Sequence, residues 1–326
     1  MIPSLPLKVD LGIFAHDEAE GIAAMVAGLR AQELPPGVDL RLLVLANGCS
    51  DDTAARARAA GAEVADLPEG GKSRTWNRFV HDLSRPDADL LVFADADISL
   101  AEKDALARLI AGLAARPGLW VLNSQPVKDT ALRGPRTWVE RLALKASGGL
   151  DDWKTAICGQ LYAMPAARAR RFRLPIGLPV EDGFLRALVL TDGLTAPEDL
   201  TRIDGADGVR HIYASETTLR GLLRHQERIV IGSAINAALF AHLRTVPDPA
   251  AEAARLATDP AALPQVLRAG LPRLPHGYVP FHFLFKRLSR ARLSRLPVAI
   301  LGFGFDAIVY LRAQIRMARG TGAGFW

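Results

Sequence analysis

The chain has 326 residues, of which 49% are apolar and 23% charged, and a formal net charge of +5. That balance supports one large core plus an appendage and excludes a chain too polar to fold; with Cys49 and Cys158 as its only cysteines it also excludes a disulfide framework. Residues 1–9 hold no apolar run of signal-peptide length, so a cytoplasmic protein is expected.

The N-terminal third alternates short apolar runs with helical patterns, which predicts βαβ units and an α/β fold with a mostly parallel sheet flanked by helices. Residues 9–15 read as a first strand. Residues 18–30 carry Ile22, Met25, Val26 and Leu29 at helical spacing, and Pro35, Pro36 and Gly37 close that unit before a strand at 41–46. Ser50 or Asp51 is placed to cap a small alanine-rich helix at 53–60. A strand at 63–65, a helix at 72–83 and a strong strand at 89–94 follow. The pattern continues with a helix at 101–115, a strand at 119–124 and an irregular stretch at 125–155 that contains Trp138 and Trp153. An apolar helix at 184–190, a strand-like run at 210–213 and a long helical pattern at 215–243 come next. Residues 245–275, rich in Ala and Pro, read as a connector with one short helix.

The residues that carry chemistry cluster at strand ends. The apolar run 90–94 ends in Asp95-Ala96-Asp97, two carboxylates one residue apart. In open α/β sheets ligands bind beyond the carboxyl ends of strands, and a hard cation held by one or two carboxylates completes its shell with phosphate oxygens and water. Asp95 and Asp97 are therefore the candidate ligands for Mg²⁺ or Mn²⁺. His16 and Asp17 end the first strand, with Glu18 opening the next helix. Glu181 and Asp182 precede an apolar helix whose N-terminus favours the charged carboxylate; they read either as caps or as a catalytic pair. Lys72 opens a helix, either solvated or facing an anion. Trp138 and Trp153 read as core or as stacking platforms for an acceptor.

Taken in order, these motifs resemble the family-2 glycosyltransferases over roughly residues 8–235. Ala15-His16-Asp17-Glu18 resembles the first-strand Asn-Glu signature, and residues 46–53, from Ala46-Asn47 through Asp51 to Thr53, resemble the segment that contacts the nucleotide. Gly71-Lys72 with Asn77 resembles the pair ahead of the metal strand, and Asp95-Ala96-Asp97 matches the metal motif. Gly159-Gln160 resembles the acceptor-side glycine segment, and Glu181-Asp182 the pair that supplies the base. His211 stands where some relatives place a further metal ligand or a phosphate contact; a histidine satisfied within the core is the other reading. Arg228 matches one position of the Gln-x-x-Arg-Trp motif of processive synthases, but His225 and Ile229 replace its Gln and Trp, which favours transfer of a single sugar.

The resemblance implies a GT-A (Rossmann-like) domain over 1–244, with a donor half at about 1–124 and an acceptor half at about 125–244, followed by a helical appendage at 245–326. It implies an inverting, metal-dependent transferase of the hexosyltransferase type. Its donor would be a nucleotide-diphosphate sugar, its metal Mg²⁺ or Mn²⁺, and its acceptor a glycan or lipid-linked molecule of envelope or exopolysaccharide assembly. Ala46 and Asn47 replace two aspartates of the family, which leaves the donor nucleotide open. A catalytically inactive partner in a polysaccharide assembly complex and a metal-dependent nucleotidyltransferase are the alternative readings. From Lys286 to Arg319 there are eight Lys or Arg against Asp306 alone. With the apolar runs 278–285 and 296–311, that charge suits either an anionic membrane surface, which would put the protein at the inner face of the plasma membrane, or a pair of core helices with a basic outer side. No nucleic-acid motif accompanies it.

Overall fold

The computed structural model describes residues 6–141, 153–270, 278–289 and 296–320. The chain divides into two compact units, one of residues 1–174 and 182–216, the other of 175–181 and 217–326.

The first unit is built on eight strands: β1 (Leu7–Ala15), β2 (Val38–Asn47), β3 (Glu63–Leu67), β4 (Leu90–Asp95), β5 (Ile98–Leu100), β6 (Val121–Lys128), β7 (Leu161–Pro165) and β8 (Ile203–Tyr213). Their order in the sheet is β3-β2-β1-β4-β7-β6-β8-β5. The pairs β1/β2, β1/β4, β2/β3 and β6/β8 are parallel, while β7 and β5 run antiparallel to their neighbours. The parallel half needs crossovers, and the helices α1 (Ile22–Arg30), α2 (Thr53–Ala59) and α3 (Lys72–Arg78) supply them, α3 running on into a π turn at Phe79–Leu83.

Alternation along the central strands sorts the core into two layers. Val9, Leu11 and Ile13 of β1 and Leu90, Val92 and Ala94 of β4 pack with Ile22, Met25, Val26 and Leu29 of α1 and with Leu106, Leu109, Ile110 and Leu113 of α4 (Ala105–Ala114). The intervening residues face the α3 side, where Phe93 stacks on Tyr162 at 4.6 Å and on Trp76 at 5.7 Å, and Phe14 and Phe79 meet edge to face. Asp95 falls in this second register. So does Asp10, buried at the far end of β1, where it accepts from the Arg85 Nε at 2.6 Å and from Arg41 at 3.4 Å.

Several elements depart from the sequence expectation for identifiable reasons. The helix expected at 101–115 starts at Ala105 because residues 98–100 form β5 against β8, and the Ala101 N–H donates to the Arg210 carbonyl. β6 runs on to Lys128 as a partner of β8. At α2 the cap is Asp52, and no side chain completes it; Asp51 instead accepts from the Thr53 N–H at 3.0 Å. Glu181 and Asp182 form the first turn of α7 (Glu181–Leu190) rather than a loop before it. Of the irregular stretch, residues 129–133 form the helical turn α5 (Asp129–Arg133), and residues 142–152 lie outside the described residues. A short helix, α6 (Ala166–Ala169), follows β7.

The second unit is helical: α8 (Leu219–Leu243), α9 (Pro249–Thr258), α10 (Ala262–Gly270), α11 (His282–Ser289) and α12 (Leu296–Ala318). The connector holds two helices where one was expected. Asp248 accepts from the Ala251 N–H at 2.9 Å and, with Pro249 behind it, opens α9; Asp259 accepts from the Ala261 N–H at 2.8 Å ahead of α10. Within this unit the fully buried Glu227 of α8 pairs with Arg312 at 3.0 Å and Arg316 at 3.4 Å on α12. Two of the eight basic residues of the tail are thus neutralised internally. No helix among the described residues is long and apolar enough to cross a membrane.

Candidate active site

The carboxyl ends of β1, β2 and β4 lie side by side through the registers Phe14↔Asp95 and Ala15↔Ala46. Asp95 is fixed there by its backbone: its N–H donates to the Gln160 carbonyl at 2.8 Å, and the next N–H, of Ala96, donates to Phe14 at 3.0 Å. Ala96 is itself buried. The Asp95 carboxylate receives the Lys72 ammonium at 2.6 Å, and the same ammonium donates to the Gly159 carbonyl at 3.0 Å. Lys72 is therefore a partly buried clamp on Asp95 and Gly159 rather than a solvated start of α3. Asp97, one residue past Ala96, is exposed.

Negative charge converges on this rim. Burial raises the pKa of the Glu18 carboxyl, and the charges of Asp97, Asp51 and Asp95 raise it further. Asp51 is held in place by the N–H groups of Ala19 and Thr53, both at 3.0 Å. Asp17 accepts from the Ser50 N–H at 2.7 Å, which lowers its pKa. Gly48, with φ at 58°, lets the loop after β2 close on Gly70: a Cβ there would stand 2.7 Å from the Gly70 backbone.

On the other side of β4, His211 of β8 is fully buried and bonds Ser124 at 2.6 Å through Nδ1 and the Gln160 Oε1 at 3.0 Å through Nε2. Burial pushes its pKa down to about 4, so the ring is neutral at physiological pH. Asp182 lies against Gly159, where a Cβ would meet its carboxylate at 3.3 Å, and its charge helps burial push the Cys158 thiol up to about 12. Gly159 and Gln160, expected on the acceptor side, thus touch Asp95, Lys72, His211 and Asp182 together.

Other expected residues have different surroundings. Asn47 is buried, with its Oδ1 accepting from the Thr75 hydroxyl at 2.9 Å; its carbonyl, not its side chain, reaches the rim by accepting from His16 Nδ1 at 2.7 Å. Asn77 gives both ends of its amide to the Leu174 backbone, at 2.7 and 2.9 Å, and is a clip behind α3 rather than a nucleotide contact. Trp153 lies over Gly205 so closely that a Cβ there would fall 2.2 Å from its ring. Trp138 is 63% exposed, so it is not a core residue. Glu181 and Arg228 belong to the second unit. Among the described residues, Asp95, Asp97 and His211 are not drawn into one compact triad; the His, Cys, Asp and Glu ligand atoms that do gather within 4.8 Å are those of His16, Asp17 and Cys49. The sequence reading missed Cys49 in that role, although it sits between Asn47 and Asp51 in the loop already singled out.

Comparison with solved structures identifies the architecture. A mannosyltransferase from Pyrobaculum calidifontis, solved with GDP-Man and Mn²⁺, matches with a TM-score of 0.55 at 17% identity, over 94% of this chain and 86% of that one. The fold is GT-A. Mannosyl-3-phosphoglycerate synthase from Rubrobacter xylanophilus matches this GT-A chain with a TM-score of 0.51 at 20% identity, over 74% and 77% of the two chains. Glucosyl-3-phosphoglycerate synthase from Mycobacterium tuberculosis, in complex with Mn²⁺, UDP and glucosyl-3-phosphoglycerate, matches with 0.50 at 21%, over 74% and 81%. No protein-family profile and no curated protein matches the chain in sequence.

Proposed function

We propose that this protein is an inverting glycosyltransferase that moves one sugar from a nucleotide-diphosphate donor to a glycan or lipid-linked acceptor. The observation that carries the reading is the convergence of Asp95, Asp97, Glu18 and Asp51 on one rim of a GT-A sheet, with Lys72 on Asp95. Burial first, and then the charges of Asp97, Asp51 and Asp95, raise the Glu18 pKa; a divalent cation would relieve the second of these, so this donor set fits Mg²⁺ or Mn²⁺. Asp95 and Asp97 would hold the ion; His211, bonded at both nitrogens, fits the reading of a histidine satisfied within the core rather than a further ligand. The bound ion would supply neutralisation of the diphosphate as it leaves.

The remaining chemistry belongs to the chain. His16, Asp17 and Glu18 line the donor rim with Asp51, and the Asn47 carbonyl orients His16. Lys72 ties the donor-side Asp95 to the Gly159 carbonyl and offers positive charge to the diphosphate. Asp182 accepts the proton of the acceptor hydroxyl as that oxygen bonds to the anomeric carbon, whose bond to the diphosphate breaks with its electron pair leaving on phosphate. Gly159, lacking a Cβ, leaves the Asp182 carboxylate room to do so. Glu181, next to it in sequence, is the supporting member of the pair, and Trp138 and Trp153 are the candidate acceptor contacts.

Membrane proximity is part of the proposal. Ile300, Ile308, Leu311 and Ile315 are 50–60% exposed and fall on one face of α12, opposite the buried Val309, Ala313 and Met317. An apolar stripe of this kind on a basic segment suits the face of an anionic bilayer.

The test is release of nucleotide from a panel of UDP-, GDP-, CDP- and dTDP-sugars. One donor should turn over with Mn²⁺ and stop with EDTA, and Asp182→Asn should lower turnover at least ~100-fold while leaving nucleotide binding intact. Full turnover in that variant would remove Asp182 as base.

A further inference from the structure

We propose that His16, Asp17 and Cys49 form a second cation site, separate in chemistry from the carboxylate rim and suited to a thiophilic ion of the Zn²⁺ class. Their ligand atoms lie within 4.8 Å of one another, and the His16 Nε2 stands 4.0 Å from the Asp17 Oδ2. A tetrahedral ion with bonds of about 2.0–2.3 Å sets its ligands roughly 3.3–3.8 Å apart, so side-chain movements of under about 1 Å close the site.

The surroundings hold each ligand as a metal site requires. His16 Nδ1 lies 2.7 Å from the Asn47 carbonyl oxygen. A carbonyl only accepts, so Nδ1 is the donor there and Nε2 is the nitrogen a metal would take. A carbonyl on the distal nitrogen is how metal-bound imidazoles are oriented. The Asp17 carboxylate receives the Ser50 N–H at 2.7 Å and the Ser50 hydroxyl at 3.1 Å, which fixes the second ligand from behind. Asp17 holds this position with φ at 53°, a conformation that costs a residue with a Cβ and persists only where its surroundings enforce it. Cys49 donates its thiol proton to the Ala15 carbonyl at 3.5 Å, directly at the end of β1. Ion binding would release that proton to solvent and leave thiolate, imidazole and carboxylate around the ion.

This donor set differs from the rim in kind. Thiolate with imidazole selects Zn²⁺ or Co²⁺ over Mg²⁺ and Mn²⁺, whereas Asp95 and Asp97 offer oxygen alone. With three protein ligands, the fourth position is open to water or to an anionic ligand.

The experiment is a Co²⁺ titration of the full chain, followed by the thiolate-to-metal absorption band. The wild type should show the band, and a roughly hundredfold excess of Mg²⁺ should leave it in place. Cys49→Ser should abolish it. His16→Gln should weaken the apparent affinity about 10–100-fold. Cys158→Ser and Asp97→Ala should keep it, the latter separating this site from the rim. All three ligands lie at the surface or half-buried, so the variants are expected to fold, and unchanged thermal midpoints check that. Absence of the band in the wild type, its survival in Cys49→Ser, or its loss in Cys158→Ser would overturn the proposal, whatever the fate of the glycosyltransferase reading.

Discussion

Glu18 shows at the scale of one residue what the rim costs a carboxylate: burial penalises its charge, and the neighbouring Asp97, Asp51 and Asp95 add repulsion that a cation would relieve. A raised carboxyl pKa means that the folded chain holds the proton more tightly than the unfolded one. The sign follows: the cost is absent below the unfolded pKa of about 4.3, sets in as pH rises through that value, and is complete above the folded pKa. Glu18→Gln should therefore raise the thermal midpoint at pH 7, and the gain should vanish by about pH 4, as differential scanning fluorimetry across pH can read. A destabilised variant at pH 7 would mean that Glu18 is held by attraction rather than penalised by burial and repulsion. His211 shows the opposite arrangement: neutral and bonded at both nitrogens, it gives up no charge at physiological pH.

At the scale of elements, β1 and β4 decide the architecture. Both are buried on both faces over most of their length, which is why they read as near-continuous apolar runs; the exceptions within β1 are the half-exposed Lys8 and the buried Asp10. Its carboxylate has Arg85 and Arg41 for partners, and removing one member of such a buried pair costs about 3–5 kcal/mol. Asp10→Ala should accordingly lower unfolding free energy by about that amount in urea titration, against less than ~1 kcal/mol for the exposed Asp87→Ala. These strands and their crossovers were legible because apolar period and strand ends coincide with Asp95 and His16. In the other half, β6 and the end of β8 were legible too, but β7 and β5 were not. β5 is three residues long, and its pairing with β8 links positions more than a hundred residues apart, beyond the reach of local pattern. The second helix of the connector was hidden for another reason: the stretch is rich in alanine, which marks no face. Around the candidate site, motif order singled out Asp95, Lys72, Gly159 and Asp182, which contact one another in the fold, but not the inward turns of Asn47 and Asn77, because an amide's partner lies in tertiary contacts that spacing does not encode.

At the scale of the whole molecule, the exposed stripe on α12 concerns where the protein works. Full-length protein should cosediment with vesicles containing phosphatidylglycerol more than with phosphatidylcholine alone, and Leu311→Glu with Ile315→Glu should reduce that binding at least ~10-fold. Equal binding by the variant would contradict a role for this face.

The central claim is that the acidic rim holds a metal-bound nucleotide, and a thermal-shift comparison tests it most directly. UDP, GDP, CDP and dTDP, each with and without Mn²⁺, are added to the wild type and to Asp97→Ala. One nucleotide should stabilise the wild type only with metal present, by about 2–3 kcal/mol at a hundredfold excess over Kd, and should leave the variant unmoved. If no nucleotide stabilises the wild type with Mn²⁺, or if the variant responds equally, the rim is not a donor site and an inactive GT-A partner becomes the better description.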